Sequence, residues 1–326
     1  MATAGAVAAG AAALAASPTI RREVRRAGRF ARPLPRGAGR PPVPPGLPPG
    51  RVINLPGRGE VFVRDTGGPP AGPAVLLLHG WTASADLNFF PAYAALTPAY
   101  RVIAPDLRGH GRGMRSTEPF SLEDCADDTA ALLAELRAGP VIAVGYSMGG
   151  PVAMLLARRH PGAVAALVMQ ATALEWHHAA RERMVWRLLP VLELSLRLGT
   201  GAGFVERLLR EAIEEQPALD AYRPWLAAEF RRGLARELAG AGRALSHYDA
   251  GPWAAELGLP AVMLITVRDR LVRPAKQRAL AGALRAQVIE IAADHDLPLV
   301  NGAEYAQLTR IAVDKAAAAA GLHAAG

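Results

Sequence analysis

The chain has a single cysteine, Cys125, among 326 residues, so no intramolecular disulfide can form and nothing in its thiol content marks an oxidising compartment. It also lacks paired cysteines, an H-E-x-x-H segment and a G-x-x-x-x-G-K loop, the common sequence bases of metal and nucleotide sites. No metal and no cofactor are expected. Nowhere do the roughly 18 strongly apolar residues that a membrane span requires run together. Residues 1–16 are uncharged and mostly alanine, which adds little insertion energy. The arginines follow this run instead of preceding it, the reverse of a secretory signal. The expectation is a cytoplasmic protein, with loose membrane association as the alternative.

What is present is apolar side chain, 51% of the total, enough for one sizeable α/β domain with an insertion or for two ordinary domains. The net charge of +8 is confined: nine arginines and one glutamate lie between Arg21 and Arg51, and the other 275 residues are neutral overall. A folded basic surface that steers nucleic acid is therefore not expected. The basic arm is read as a solvated tail, with weak contact to an anionic membrane as its candidate partner. From Pro33 to Pro49 the sequence "PLPRGAGRPPVPPGLPP" favours extended polyproline and cannot pack a core. Residues 1–50 are thus assigned to a flexible tail and linker.

Beyond Arg51, apolar segments of strand length alternate with helical patterns. Strands are expected at Val52 to Leu55, Val61 to Asp65, 74–80, 101–106, Val141 to Gly145, Ala165 to Met169, 260–269 and 287–291. Helices are expected at Leu122 to Leu136, Gly149 to Arg159, Pro274 to Leu284 and from Ala303 onward. Such alternation implies a parallel sheet with helices on both faces. Between residues 172 and 250 the rhythm changes to arginine, glutamate, leucine and tryptophan at helical spacing, which reads as a helical insertion dividing a core of 51–171 and 251–326. Trp176, Met184, Trp186, Tyr222, Trp225, Phe230 and Trp253 lie in or beside it and would serve mainly as its own core, with some left for an apolar ligand.

Serine is scarce, seven in the whole chain, and one stands in an unusual place. In "VIAVGYSMGG", residues 141–150, a buried strand breaks into glycines around Ser147, and Val152, Leu155 and Leu156 then recur at helical spacing. A strand-to-helix turn this sharp strains the serine backbone and brings Gly145 and Gly149 too close to neighbours to carry a Cβ. It also aims the first N–H groups of the helix at whatever the hydroxyl attacks. A serine hydroxyl is a poor nucleophile at neutral pH unless a base takes its proton and an acid orients the base. Asp269, at the end of the 260–269 strand, and His295, in the loop after the next strand, offer both at the sheet edge where parallel strands place functional groups. His79, His110 and Asp106 belong to turns. Asp106 is a rival carboxylate for Asp269, and Asp294 and Asp296 are read as raising the basicity of His295.

Four segments together resemble the α/β-hydrolase superfamily: "HGW" at 79–81, "DLRGHG" at 106–111, "GYSMGG" at 145–150, and the Asp269 and His295 loops in the order Ser, Asp, His. The resemblance runs from about Val52 to Ala316 and implies a mostly parallel sheet with an inserted helical cap. It implies Ser147 as nucleophile, His295 as general base and then acid, and Asp269 as its orienting partner. It further implies an oxyanion hole from the backbone N–H groups of Trp81 and Met148, shaped by His79 and Gly80. Two positions depart from the pattern: Gly113, where similar proteins often have serine, and Asp294, where glycine is common before the histidine. The implied activity is hydrolysis of an apolar carboxylic ester without a cofactor. C–C bond hydrolysis or perhydrolysis by the same triad is one alternative, and a non-catalytic ligand-binding protein on this fold is another.

Overall fold

The computed structural model describes residues 42–67, 73–197, 213–233 and 235–322. The arginine tail up to residue 41 and His323 lie outside the described residues. Eight strands form one sheet: β1 (Gly50–Leu55), β2 (Gly59–Asp65), β3 (Ala74–Leu78), β4 (Arg101–Pro105), β5 (Val141–Tyr146), β6 (Val164–Gln170), β7 (Ala261–Thr266) and β8 (Gln287–Ile291). Their order is β1-β2-β4-β3-β5-β6-β7-β8. The two pairings that involve β2 are antiparallel, and all the others are parallel.

The central strands are apolar without alternation because both of their faces are covered. In β3, Leu76 and Leu78 point into one core, with Leu122, Cys125 and Val152, while Val75 and Leu77 point into the other, with Phe89, Tyr93 and Tyr305. The first face carries α2 (Leu122–Glu135) and α3 (Gly149–Arg159). The second carries α1 (Ala85–Leu96) and the long C-terminal helix. Serines start two of these helices: Ser84 accepts from the N–H of Leu87, and Ser121 from that of Asp124.

Between β6 and β7 the chain leaves the sheet through α4 (Ala180–Arg187), α5 (Leu189–Arg197), a 3₁₀ turn at Pro217–Tyr222, α6 (Arg223–Phe230) and α7 (Ala235–His247). The neck of this excursion is held by a bridge between Glu175 and Asp249 and by the N–H of Ala250 donating to the carbonyl of Leu174 at 2.8 Å. After β7 come α8 (Pro274–Ala283), β8, a short α9 (Leu297–Val300) and α10 (Gly302–Ala319).

Three sequence expectations shift. The strand expected over 74–80 ends at Leu78, which frees His79 and Gly80 to form a loop. The strand expected over 260–269 ends at Thr266; its pairing with β8 stops at Ile291, and Asp269 lies beyond in a turn whose N–H bonds back to the carbonyl of Thr266 at 3.1 Å. The end of the proline-rich linker lies on the fold: Pro44 and Pro48 are buried, Leu47 packs against the core, and Arg64 donates to the carbonyl of Pro48. A polyproline stretch makes no ladder of its own, but its rings can still cover apolar surface.

Candidate active site

Ser147 sits between β5 and α3 with φ of +51°, in the left-handed region that disfavours side chains. Three bonds hold it there. Its N–H donates to the carbonyl of Gln170, and its own carbonyl accepts from the N–H of Gly150 and the hydroxyl of Thr172. The flanking glycines are required sterically: a Cβ on Gly149 would lie 1.9 Å from the carbonyl oxygen of Leu78, and one on Gly145 would lie 2.5 Å from that of Gly149. Gly80 passes so close that a Cβ there would stand 3.3 Å from the Cβ of Ser147.

The structure brings the three sequence candidates into one chain of hydrogen bonds. Ser147 Oγ lies 3.1 Å from His295 Nε2, and His295 Nδ1 lies 2.9 Å from Asp269 Oδ2. Asp269 accepts on both oxygens: Oδ1 from the N–H groups of Leu271 and Val272, and Oδ2 from Thr266 Oγ1 and Gln277 Nε2. A carboxylate so surrounded by donors accepts at His295 Nδ1, which puts the ring proton there and leaves Nε2 as the acceptor facing Ser147. Tyr146 donates to the carbonyl of His295 at 2.7 Å and meets its ring edge-on. Gln277, Thr266, Tyr146 and Thr172 were not singled out from the sequence; each is an ordinary residue in an ordinary segment, and only the fold brings it to the site.

Asp294 differs from expectation. It accepts from the backbone N–H of His295 at 2.8 Å and from the N–H and Nε of Arg270, so it grips the loop rather than the imidazole. Although burial opposes this, those bonds hold its carboxyl below the usual range. Burial, with Asp294 adding to it, pushes Asp296 up.

Met148 follows the serine and Trp81 follows Gly80, which approaches it; among the described residues the N–H groups of both have no hydrogen-bond partner. Met148 precedes the first turn of α3, where such donors have no intrahelical acceptor. His79 ties the Trp81 loop to the loop after β4: Nδ1 pairs with the carbonyl of Gly80 at 2.8 Å, and Nε2 accepts from the N–H of Leu107 at 2.9 Å. Burial holds it below the usual histidine range and therefore neutral. Asp106 is no rival to Asp269, because it is spent on the N–H of Ala85 and on the backbone and side chain of Arg112. Gly113 has no room for the serine seen in similar proteins, since a Cβ would lie 2.2 Å from the carbonyl oxygen of Leu107.

The insertion lies over this edge. Trp81 Nε1 donates to the carbonyl of Leu238 in α7, and its ring meets that of Trp186 of α4 at 5.9 Å with the planes tilted by 51°. Glu229, 2% exposed at the end of α6, accepts from Ser84 Oγ. A cleft of about 480 Å³ between α7 and residues 108–120 is lined by Phe120, Arg236 and His247 but not by Ser147. The side chains of Glu175, His177 and His178 place ligand atoms within 4.8 Å of one another. Lys276 Nζ already sits 2.6 Å from Glu175 Oε1, and two backbone N–H groups occupy Oε2, which fills that carboxylate.

Sheet order, elbow and loop positions are those of an α/β-hydrolase fold, and residues 73–193 match the sequence family described as alpha/beta hydrolase fold. The chain therefore has an α/β-hydrolase fold, and the part that matches the family by sequence is residues 73–193. Among relatives, Lipase LipV of Mycobacterium tuberculosis is 43% identical over 101 residues, 31% of this chain and 38% of that protein. Proline iminopeptidase PfmaB of Pestalotiopsis fici is 34% identical over 137 residues, 40% of this chain and 48% of that one. The chain thus spans less than half the length of the curated relatives it matches. An esterase structure from Exiguobacterium antarcticum aligns with a TM-score of 0.70 at 17% identity, covering 82% of this chain and 100% of that one.

Proposed function

We propose that the protein is a serine hydrolase that cleaves a carboxylic ester through an acyl-enzyme intermediate. One observation carries this reading: the unbroken chain from Ser147 Oγ through His295 to Asp269, at 3.1 and 2.9 Å. Ser147 Oγ attacks the ester carbonyl carbon while His295 Nε2 takes its proton, and Asp269 stabilises the imidazolium. The oxyanion accepts from the N–H groups of Trp81 and Met148, which cost no rearrangement because they stand unpartnered beforehand. Collapse breaks the bond to the leaving alcohol, which departs with the proton from His295. Water then attacks the acyl-serine, giving its proton to His295, and the carboxylic acid is released as Ser147 regains its hydrogen. The insertion acts as a cap, and Trp81 and Trp186 suit an apolar acyl group.

Hydrolysis of short p-nitrophenyl esters tests this, together with labelling by a fluorophosphonate. Ser147→Ala should lower turnover by on the order of 10⁴ or more and abolish labelling, with the fold intact by circular dichroism. A variant that kept most of its activity, or a label on another serine, would remove Ser147 from the mechanism.

A further inference from the structure

Asp294 stands one residue before His295, and its carboxylate continues a pairing that the backbone gives up. The β7–β8 ladder ends at Thr266 and Ile291. Past it, the N–H of Val267 donates to the carbonyl of Ile291 at 2.9 Å, and that of Arg268 to the carbonyl of Ala293 at 3.0 Å. Among the described residues the backbone bonds between the two loops stop there, before either Asp269 or His295 is reached. Asp294 Oδ1 then accepts from the N–H of Arg270 at 3.0 Å and from the N–H of His295 at 2.8 Å. One oxygen atom thus joins the peptide that leaves Asp269 to the peptide that enters His295.

The side chains of those two residues meet at 2.9 Å, His295 Nδ1 to Asp269 Oδ2, and such a bond weakens steeply once the groups lose alignment. The carbonyl of His295 is held by Tyr146 and its N–H by Asp294. Asp294 Oδ2 meets Arg270 Nε at 2.6 Å, but the Arg270 side chain is 86% exposed, and an ion pair so open to water contributes little. The weight therefore falls on Oδ1, an acceptor that the glycine common at this position in similar proteins does not have.

We propose that Asp294 is a positioning residue whose Oδ1 bridges the Asp269 and His295 loops and sets the geometry at which carboxylate and imidazole meet. It acts through the bridge and not through its charge. An amide oxygen can make the same bridge, because two fixed backbone donors oblige an asparagine to turn its oxygen toward them, with the NH₂ on the side of the exposed Arg270 side chain. The proposal rests on the serine-hydrolase reading and adds a residue to it.

The test is steady-state hydrolysis of p-nitrophenyl acetate by the full chain and by its Asp294→Ala, Asp294→Asn and Ser147→Ala variants, each below its own melting transition. A displacement of about 1 Å can cost on the order of 10² in rate, so Asp294→Ala should lower kcat about 10- to 100-fold. KM should stay within about twofold, because the lost bonds orient the base and do not hold substrate. Asp294→Asn should keep kcat within about threefold of the parent chain, as expected where the bonds and not the charge are needed. Full kcat in Asp294→Ala would overturn the proposal. An equal loss in both Asp294 variants would overturn it too, since the charge and not the bridge would then be at work. A parent chain that leaves the ester intact, or a Ser147→Ala variant that still cleaves it, would instead overturn the hydrolase reading, and the proposal with it.

Discussion

Asp269→Asn alters the site by one atom and tests the orienting carboxylate directly. Asp269 is 3% exposed and accepts five hydrogen bonds, two on Oδ1 from the N–H groups of Leu271 and Val272, and three on Oδ2 from Thr266, Gln277 and His295. An asparagine must point its NH₂ at one of these groups of donors. Facing Leu271 and Val272, it would meet two fixed backbone donors that cannot reverse. Facing the other side, it meets a hydroxyl that can rotate to accept and an imidazole that can move its proton, so this orientation is favoured. His295 then accepts at Nδ1 and carries its hydrogen on Nε2, where it cannot take the proton of Ser147. A base held in the wrong tautomer costs about 10⁴ in turnover, or about 5.5 kcal/mol of transition-state stabilisation. The Gln277 amide keeps its bonds to the carbonyl of Val272 and the hydroxyl of Thr266, so the bond lost at Oδ2 costs only about 0.5–1.5 kcal/mol of stability. Steady-state hydrolysis of p-nitrophenyl acetate and urea unfolding read the two effects separately. Activity within tenfold of the parent chain would refute the reasoning, as would a larger loss of activity in Asp106→Asn.

Gly113→Ser installs the residue common in similar proteins and should nonetheless destabilise by more than about 2 kcal/mol, because the added Cβ would collide with backbone and not with a side chain that can move; an unchanged urea midpoint would show the loop to be looser than described. Stability should also fall with acidity below about pH 6.5. Burial, with neighbouring His79 adding to it, pushes His110 down to about 3, so between those values the unfolded chain binds a proton that the folded one refuses. The folded state is therefore favoured fully above the ordinary histidine range and loses about 1.4 kcal/mol per pH unit per such group below it. His110→Phe should make urea midpoints less steep between pH 6.5 and 4.5, whereas the depressed carboxyls of Asp86 and Asp294 act only at lower pH. A slope unaffected by His110→Phe would exclude this source.

Much of the fold was legible in the sequence because its signals are local. A strand buried on both faces must be apolar throughout, and a turn as sharp as the one at Ser147 must be flanked by glycine, so β5, α3 and the elbow between them follow from residues 141–159. Asp269 and His295 were legible as types at plausible strand ends, since parallel strands deliver their C-terminal ends to one edge. Their distances were not, because these depend on where each pairing stops: β7 releases its chain at Thr266, and the turn beyond it carries Asp269 back under His295. Tertiary structure alone decided what surrounds the site. Gln277 and Thr266 reach Asp269 from a helix and a strand end, Tyr146 props the His295 loop, and Asp294 grips a backbone N–H rather than the ring. The insertion was visible as a change of rhythm, but its inward and outward apolar side chains, such as Trp186 and Met184, were not separable by composition. Periodicity shows that residues share a side, and only packing shows which side meets Trp81 and which is left to the solvent.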